Sequence, residues 1–286
     1  MKKGLFAIAA AALLLPGCAT RDRGDVFDLR RHAEGQLELG NRAASRGEHG
    51  AALALLDDAM RLAVLADDGG LKARAGLSRA GALMSMGLAE EAKAGWEAAL
   101  GEALLLGDEA LAALARVHAA RGRLLALGGE AEARAAAAAA SGERARLRDP
   151  LSVAFSWSTE ALALGELGLF AQAEAAAMRS LALHERAFRH DLAAFDWFMA
   201  ASFRSRSGDF EGARQALASS IALDRRVENS WGIASSWRAL GDVETRAGSP
   251  VAARAAYLRA AAIFRAMGHD AAADGALARA GAPPAE

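Results

Sequence analysis

Residues 205–217 read SRSGDFEGARQAL, and the same frame returns on either side of them. Residues 165–177 read GELGLFAQAEAAA, and residues 245–257 read TRAGSPVAARAAY. Each stretch has glycine in the fourth place and alanine in the ninth. Followed along the chain, the glycine falls at Gly47, Gly87, Gly128, Gly168, Gly208 and Gly248, at intervals of 40 residues with one of 41. Five residues after each comes alanine: Ala52, Ala92, Ala133, Ala173, Ala213 and Ala253. Twelve after each comes a small residue: Ala59, Ala99, Ala140, Ser180, Ser220 and Ala260. Eleven before each stand Gln36, Gly76, Val117, Trp157, Trp197 and Trp237.

The period has a physical reading. Glycine tolerates the left-handed backbone that closes a helix. Asp209 and Ser249 then stand where an N-cap belongs, the latter followed by Pro250 at the first helical position, and Asp149-Pro150 marks another start. Alanine at fixed helical spacing lets two helices approach closely, and Leu217 with Ile221, or Tyr257 with Ala261, supplies the buried stripe. Bulk composition agrees. Of 286 residues 53% are apolar but only 6% aromatic, and the apolar share is mostly Ala and Leu, both strong helix formers. β-branched residues are scarce, so a sheet is poorly supported. The expected class is all-α.

The best copy of the unit, residues 234–264, carries Trp237, Leu240-Gly241, Gly248, Ala253, Tyr257 and Ala260. These resemble the Trp, Leu-Gly, turn Gly, Ala, aromatic and Ala positions of the tetratricopeptide repeat family, and Leu39-Gly40 repeats the pair near the start. The unit is longer than the family's usual one of about 34 residues, and the closing Pro is missing. The extra residues fall at the joints between repeats, as in LLLGDEALAAL, RLRDPLSVAF and FRHDLAAFDW. A HEAT or armadillo solenoid, with units of about 40–47 residues, is the rival. The resemblance implies a right-handed α-solenoid over residues 26–268, with repeats near 33–72, 73–113, 114–153, 154–193, 194–233 and 234–268. Residues 269–286 would form a capping helix and a disordered tail. Stacking is required, because one helix pair cannot bury its own apolar face. In repeat three, residues 130–149 read EAEARAAAAAASGERARLRD, which keeps helix propensity but offers little area to bury. Either tight alanine packing or a weak joint follows.

The N-terminus carries an address. It reads MKKGLFAIAAAALLLPGCAT: two lysines, an apolar run over residues 4–15, then small residues. As a helix that run rises about 18 Å, short of a bilayer core of about 30 Å, and the layout is that of a secretory signal. Leu15-Pro16-Gly17-Cys18 resembles the lipobox of bacterial lipoproteins, with Pro16 a departure, and Cys18 is the only cysteine. The resemblance implies cleavage after residue 17, diacylglycerol on Cys18, and residues 18–25 as a short tether. Ala19, where an inner-membrane lipoprotein would carry Asp, points to the outer membrane, facing the periplasm.

No catalytic constellation is evident. His32, His49, His118, His184, His190 and His269 form no HExxH, no glycine loop of phosphate-binding type occurs, and nothing orders a nucleophile against a base. No enzyme activity, cofactor or metal is expected. A net charge of −1 gives no footprint for nucleic acid. Binding remains. The family's groove positions fall on Glu34, Leu37, Asn41, Arg74, Leu77 and His118 in the first three repeats. In the last three, the partner-binding candidates are Phe155, Phe195, Phe198, Met199, Ser202, Arg206, Arg238, Asp242 and Arg246, with Ser158 and Ser235 beside them. Aromatic residues next to arginines are the usual makings of a binding hot spot, while Phe155 and Phe195 also fit a core role, two residues before a tryptophan. Leu37 stands where a carboxylate-clamping Lys would be. The expected function is a lipid-anchored interaction scaffold of the cell envelope that takes a protein or peptide. A solute-binding accessory of a transport system and a self-associating structural protein are the alternatives.

Overall fold

The computed structural model describes residues 24–281. The signal segment, Cys18 and the end of the tail lie outside the described residues. Thirteen α-helices follow one another within them, with no strand. They are α1 (Gly24–Ser45), α2 (His49–Leu65), α3 (Gly69–Ser85), α4 (Ala89–Leu105), α5 (Glu109–Leu127), α6 (Gly129–Glu143), α7 (Pro150–Glu166), α8 (Phe170–Arg186), α9 (His190–Ser207), α10 (Phe210–Arg226), α11 (Ser230–Arg246), α12 (Pro250–Ala266) and α13 (Asp270–Arg279). Each packs on the next, and each odd helix from α1 to α9 also touches the following odd one. The odd helices therefore form an inner layer and the even helices an outer one.

The six periodic glycines close the odd helices. All have positive φ, from 65° to 93°. The six alanines five residues later are at most 4% exposed, and the small residues twelve later at most 3%. These are the two places where the helices of a pair approach closest. The Leu-Gly pair has the same cause: a Cβ on Gly40 would lie 2.7 Å from Leu56, and one on Gly241 would strike the Tyr257 ring. Asp149 and Asp209 cap α7 and α10 through Ser152 N and Gly212 N, both at 2.9 Å. Ser249 holds its cap position without a side-chain bond, and Pro250 starts α12.

The three tryptophans are half-buried rather than sealed in the core. Trp157 and Trp237 pack on their clusters while arginines lie over their rings: Arg144 at 3.3 Å and Arg179 at 4.5 Å from the Trp157 centroid, and Arg259 at 4.5 Å from that of Trp237. Within residues 269–286, where a cap and tail are expected, lies α13, whose Ala273 and Ala276 pack in one cluster with Phe264.

A buried polar ladder joins the later repeats at a constant register. Arg144 Nε donates to Ser156 Oγ at 2.8 Å. Forty residues on, His184 Nδ1 meets Asp196 Oδ2 at 2.6 Å. Forty further, Ser236 meets Ser220 at 3.0 Å beside Asp224. At the last joint the same register holds Phe264 and Ala276, an apolar pair.

Repeat three departs from the pattern. α5 ends directly on Gly128-Gly129, and α6 passes into a 3-10 turn at Arg144–Arg146. α6 buries only Ala133, Ala136 and Ala140.

Candidate functional site

The first hairpin returns to touch the fifth repeat. Arg46 donates to the Val227 carbonyl at 3.1 Å, and the ring of His49, the first residue of α2, meets Trp231 edge-on with centroids 6.5 Å apart. The inner layer thus carries a set of half-open cavities. One, of 860 Å³, is lined by Arg30, Glu34, Leu37, Glu38, Asn41, Arg74, Leu151 and Arg189. A second, of 430 Å³, is lined by Ser45, Arg121, Asp191, Leu192, Phe195, Phe198, Asp224, Asn229, Trp231, Ser235 and Arg238. A third, also 430 Å³, takes Met84, Trp96, His118, Arg121 and Phe155.

Arg121 stands between the last two. Its guanidinium lies 5.0 Å from the Phe155 centroid and 5.8 Å from that of Phe195, and its Nη1 donates to Ser158 Oγ at 3.0 Å. Among the described residues no carboxylate forms an ion pair with it. Burial pulls its pKa down to about 10, with Asp196 acting weakly the other way. His118 stacks on Phe155 at 4.0 Å, and burial, with Arg121 second, lowers it to about 3, so it is neutral at ordinary pH. A charged fork between two aromatic faces, with Asp196 acting on it only from beyond ion-pair distance, is a ready receiver for a carboxylate or another planar anion.

Across the second cavity the carboxylates are held differently. Asp191 takes both forks of Arg189, at 3.0 and 2.7 Å. Burial raises its pKa, but the Arg189 bond, the Arg189 charge and the backbone amides of Asp191 and Leu192 together outweigh this, and the net shift is downward. Asp224 is 2% exposed and accepts only from Asn229 Nδ2, at 2.8 Å. Burial raises it to about 7, against the Asn229 bond and with help from Asp191.

The sequence-derived candidates divide. Phe195, Phe198, Ser235 and Arg238 line the second cavity and Phe155 the third, while Glu34, Leu37, Asn41 and Arg74 line the largest. Met199 is 2% exposed and packs with Ala161, Ala173 and Phe203, so it belongs to the core. Leu77 is core as well. Arg206 lies over Phe170 and 3.6 Å from Glu166. Asp242 accepts from Tyr257 and Arg279, tying α11 to the end of the chain. Ser202 and Arg246 are exposed.

Arg121 was not among those candidates, and the reason is one of register. The single 41-residue interval places its extra residue at the α5–α6 turn, so counting back from Gly128 shifts α5 by one. Counting forward from the caps Asp108, Arg189 and Asn229 puts Arg121 in line with Ser202 and Asp242. Asp108 before an apolar helical run was the available signal.

Ser180, His184 and Asp196 also cluster, but both oxygens approach the same ring nitrogen, Ser180 Oγ at 3.5 Å and Asp196 Oδ2 at 2.6 Å. A proton relay needs hydroxyl and carboxylate on opposite nitrogens. Among the described residues no group of His, Cys, Asp and Glu is arranged to hold a metal ion.

No family model and no curated protein matches the chain. Solved structures do. A Rap protein complexed with Competence and Sporulation Factor superposes with a TM-score of 0.58 at 16% identity, over 86% of this chain and 69% of that one. A signal-transduction ATPase from Pyrococcus horikoshii, with a tetratricopeptide repeat sensor, matches at 0.51 and 15% over 90% of this chain and 42% of its own. The chain is a tetratricopeptide-type solenoid. BtubC from P. vanneervenii has a similar fold, with a TM-score of 0.56 at 20% identity over 81% of this chain and 92% of that one. The 40-residue repeat is thus a lengthened tetratricopeptide hairpin rather than a HEAT or armadillo unit.

Proposed function

We propose that this solenoid is a lipid-anchored adaptor of the cell envelope, facing the periplasm, that holds an extended segment of a partner protein along its inner layer. The observation that carries the reading is Arg121, a partly enclosed cation in no ion pair among the described residues, set between Phe155 and Phe195 and continuous with Phe198, Trp231 and Arg238. Aromatic and arginine side chains so placed favour a peptide bearing an acidic group and an apolar side chain. The Rap neighbour, solved with Competence and Sporulation Factor, supports the use of such a fold to hold a bound factor. The anchor rests on Leu15-Pro16-Gly17-Cys18 and would be read from the mass of the N-terminal peptide of protein isolated from membranes.

The test of binding is crosslinking and pull-down from native envelope, comparing the wild-type chain with Phe198→Ala/Arg238→Ala and with Arg121→Met. Loss of the same partners from both variants is expected. Recovery of an unchanged set by both would overturn the assignment. The second cavity, lined by Ser45 of the first hairpin together with Trp231 and Asn229, favours a second reading in which a small solute is carried there. Native mass spectrometry of protein from cells would then show a bound species of constant mass.

A further inference from the structure

The hairpins give the solenoid two rims, and the two differ in character along the chain. One rim holds the start of α1, the ends of α2 and α4, and the turns into α3 and α5. The contact of Arg30 with Asp68, at 3.0 Å, places the start of α1 on it. On this rim Val64 and Leu65 are each 60% exposed, and Leu105 is 87% exposed between the exposed Leu104 and Leu106. The two groups are neighbours, since a Cβ on Gly69 would lie 3.2 Å from Leu106.

A helix C-terminus favours basic residues, because its free carbonyls carry partial negative charge. α8 and α10 follow that rule, ending on Arg186 and on Arg225-Arg226. α2 and α4 have no basic residue in the last turn and expose aliphatic side chains instead. Asp68 is engaged by Arg30, Glu102 by Lys72 at 2.6 Å, and Asp108 by the first amides of α5, while Asp67 and Glu109 are exposed beside the aliphatic side chains. What the rim presents is therefore a run of five exposed aliphatic side chains with Asp67 and Glu109 at its edge.

We propose that Val64, Leu65, Leu104, Leu105 and Leu106 bed into the lipid surface to which the chain is tethered through Cys18. The proposal rests on the anchor reading above. Cys18 precedes the first residue of α1 by six positions, a reach of at most about 20 Å, and α1 starts on this rim. The tether therefore delivers these side chains to the bilayer, where exposed aliphatic groups gain from burial at the headgroup–acyl boundary. The exposed aliphatic side chains of this rim lie in the two repeats nearest the tether, with Phe188, 80% exposed at the α8–α9 turn, farther along it.

The test couples the full chain, through its only cysteine, to a maleimide-headgroup lipid in vesicles of phosphatidylethanolamine and phosphatidylglycerol. Amide hydrogen exchange is then compared with and without vesicles. Exchange over residues 62–68 and 102–108 is expected to slow by about tenfold, with residues 84–88 on the other rim unchanged. Leu65→Glu/Leu105→Glu, at exposed sites, should abolish the slowing with coupling intact. Unchanged exchange in the coupled wild type overturns the proposal. So does slowing that survives in the double variant, or slowing that appears without vesicles as concentration rises, which would show a second copy covering the rim. Acylation in cells is read separately, so a chain that carries no lipid would remove the anchor reading and leave the vesicle result to stand alone.

Discussion

Arg46 donates to the carbonyl of Val227 across 181 residues of sequence, and next to it Gly47 lies under the ring of Trp231. The first hairpin and the fifth repeat are thus in contact, and Ser45 and Trp231, from the two sides, both line the second cavity. Two glycines allow it to be weighed. Gly47 and Gly87 share a left-handed φ, 76° and 79°, but a Cβ on Gly47 would lie 2.8 Å from Trp231, whereas one on Gly87 meets nothing within 4 Å. Gly87→Ala should cost about 1 kcal/mol of backbone strain. Gly47→Ala should cost the same strain and also part the two ends. Small-angle scattering would show a larger radius for Gly47→Ala only, and equal radii would count against closure.

Asp224 should make stability depend on pH. Its carboxyl is raised to about 7 in the fold, so below about pH 4 it is neutral in both states and costs nothing. As pH rises from about 4 to 7 the unfolded chain ionises first, and stability is lost across that window. Asp224→Asn, which can still accept from Asn229, should flatten this slope and add roughly 2–4 kcal/mol above pH 7. Urea midpoints measured against pH would decide; parallel curves for the two proteins would refute the assignment.

The polar ladder predicts a rescue. Asp196→Ala alone strips a buried partner from His184 and should cost about 2 kcal/mol. Adding His184→Phe copies the Phe264–Ala276 joint found two repeats later, and should recover most of the loss. Thermal unfolding of both variants reads the difference. If the double variant is weaker than the single one, the joints are not interchangeable.

Repeat three should be the weakest joint. α6 buries three alanines and leans on Arg144, which bonds Ser156 and Glu160 while lying over Trp157. Amides of residues 130–147 should exchange faster than those of α4 and α8. Equal protection in all three would make the solenoid uniform.

Much of this molecule was legible before any coordinates. The 40-residue period located the turns because a left-handed residue and a close helix crossing each admit few side chains, so glycine and alanine recur where geometry forces them. Phe195, Phe198 and Arg238 could be placed on the inner layer for the same reason. Met199 could not be separated from them, because one residue around a helix is enough to turn a side chain from cavity to core. The turns between repeats were harder to read, since Asp67, Phe188 and Glu228 hold left-handed backbone there without being glycine. Arg121 and the Arg46–Val227 contact were decided by tertiary structure alone. The first depends on which side of a turn absorbs one extra residue. The second depends on small rotations between repeats that add up over 181 positions. Sequence periodicity fixes what each repeat touches next, but the sum of those rotations, and so the shape of the enclosed space, exists only in three dimensions.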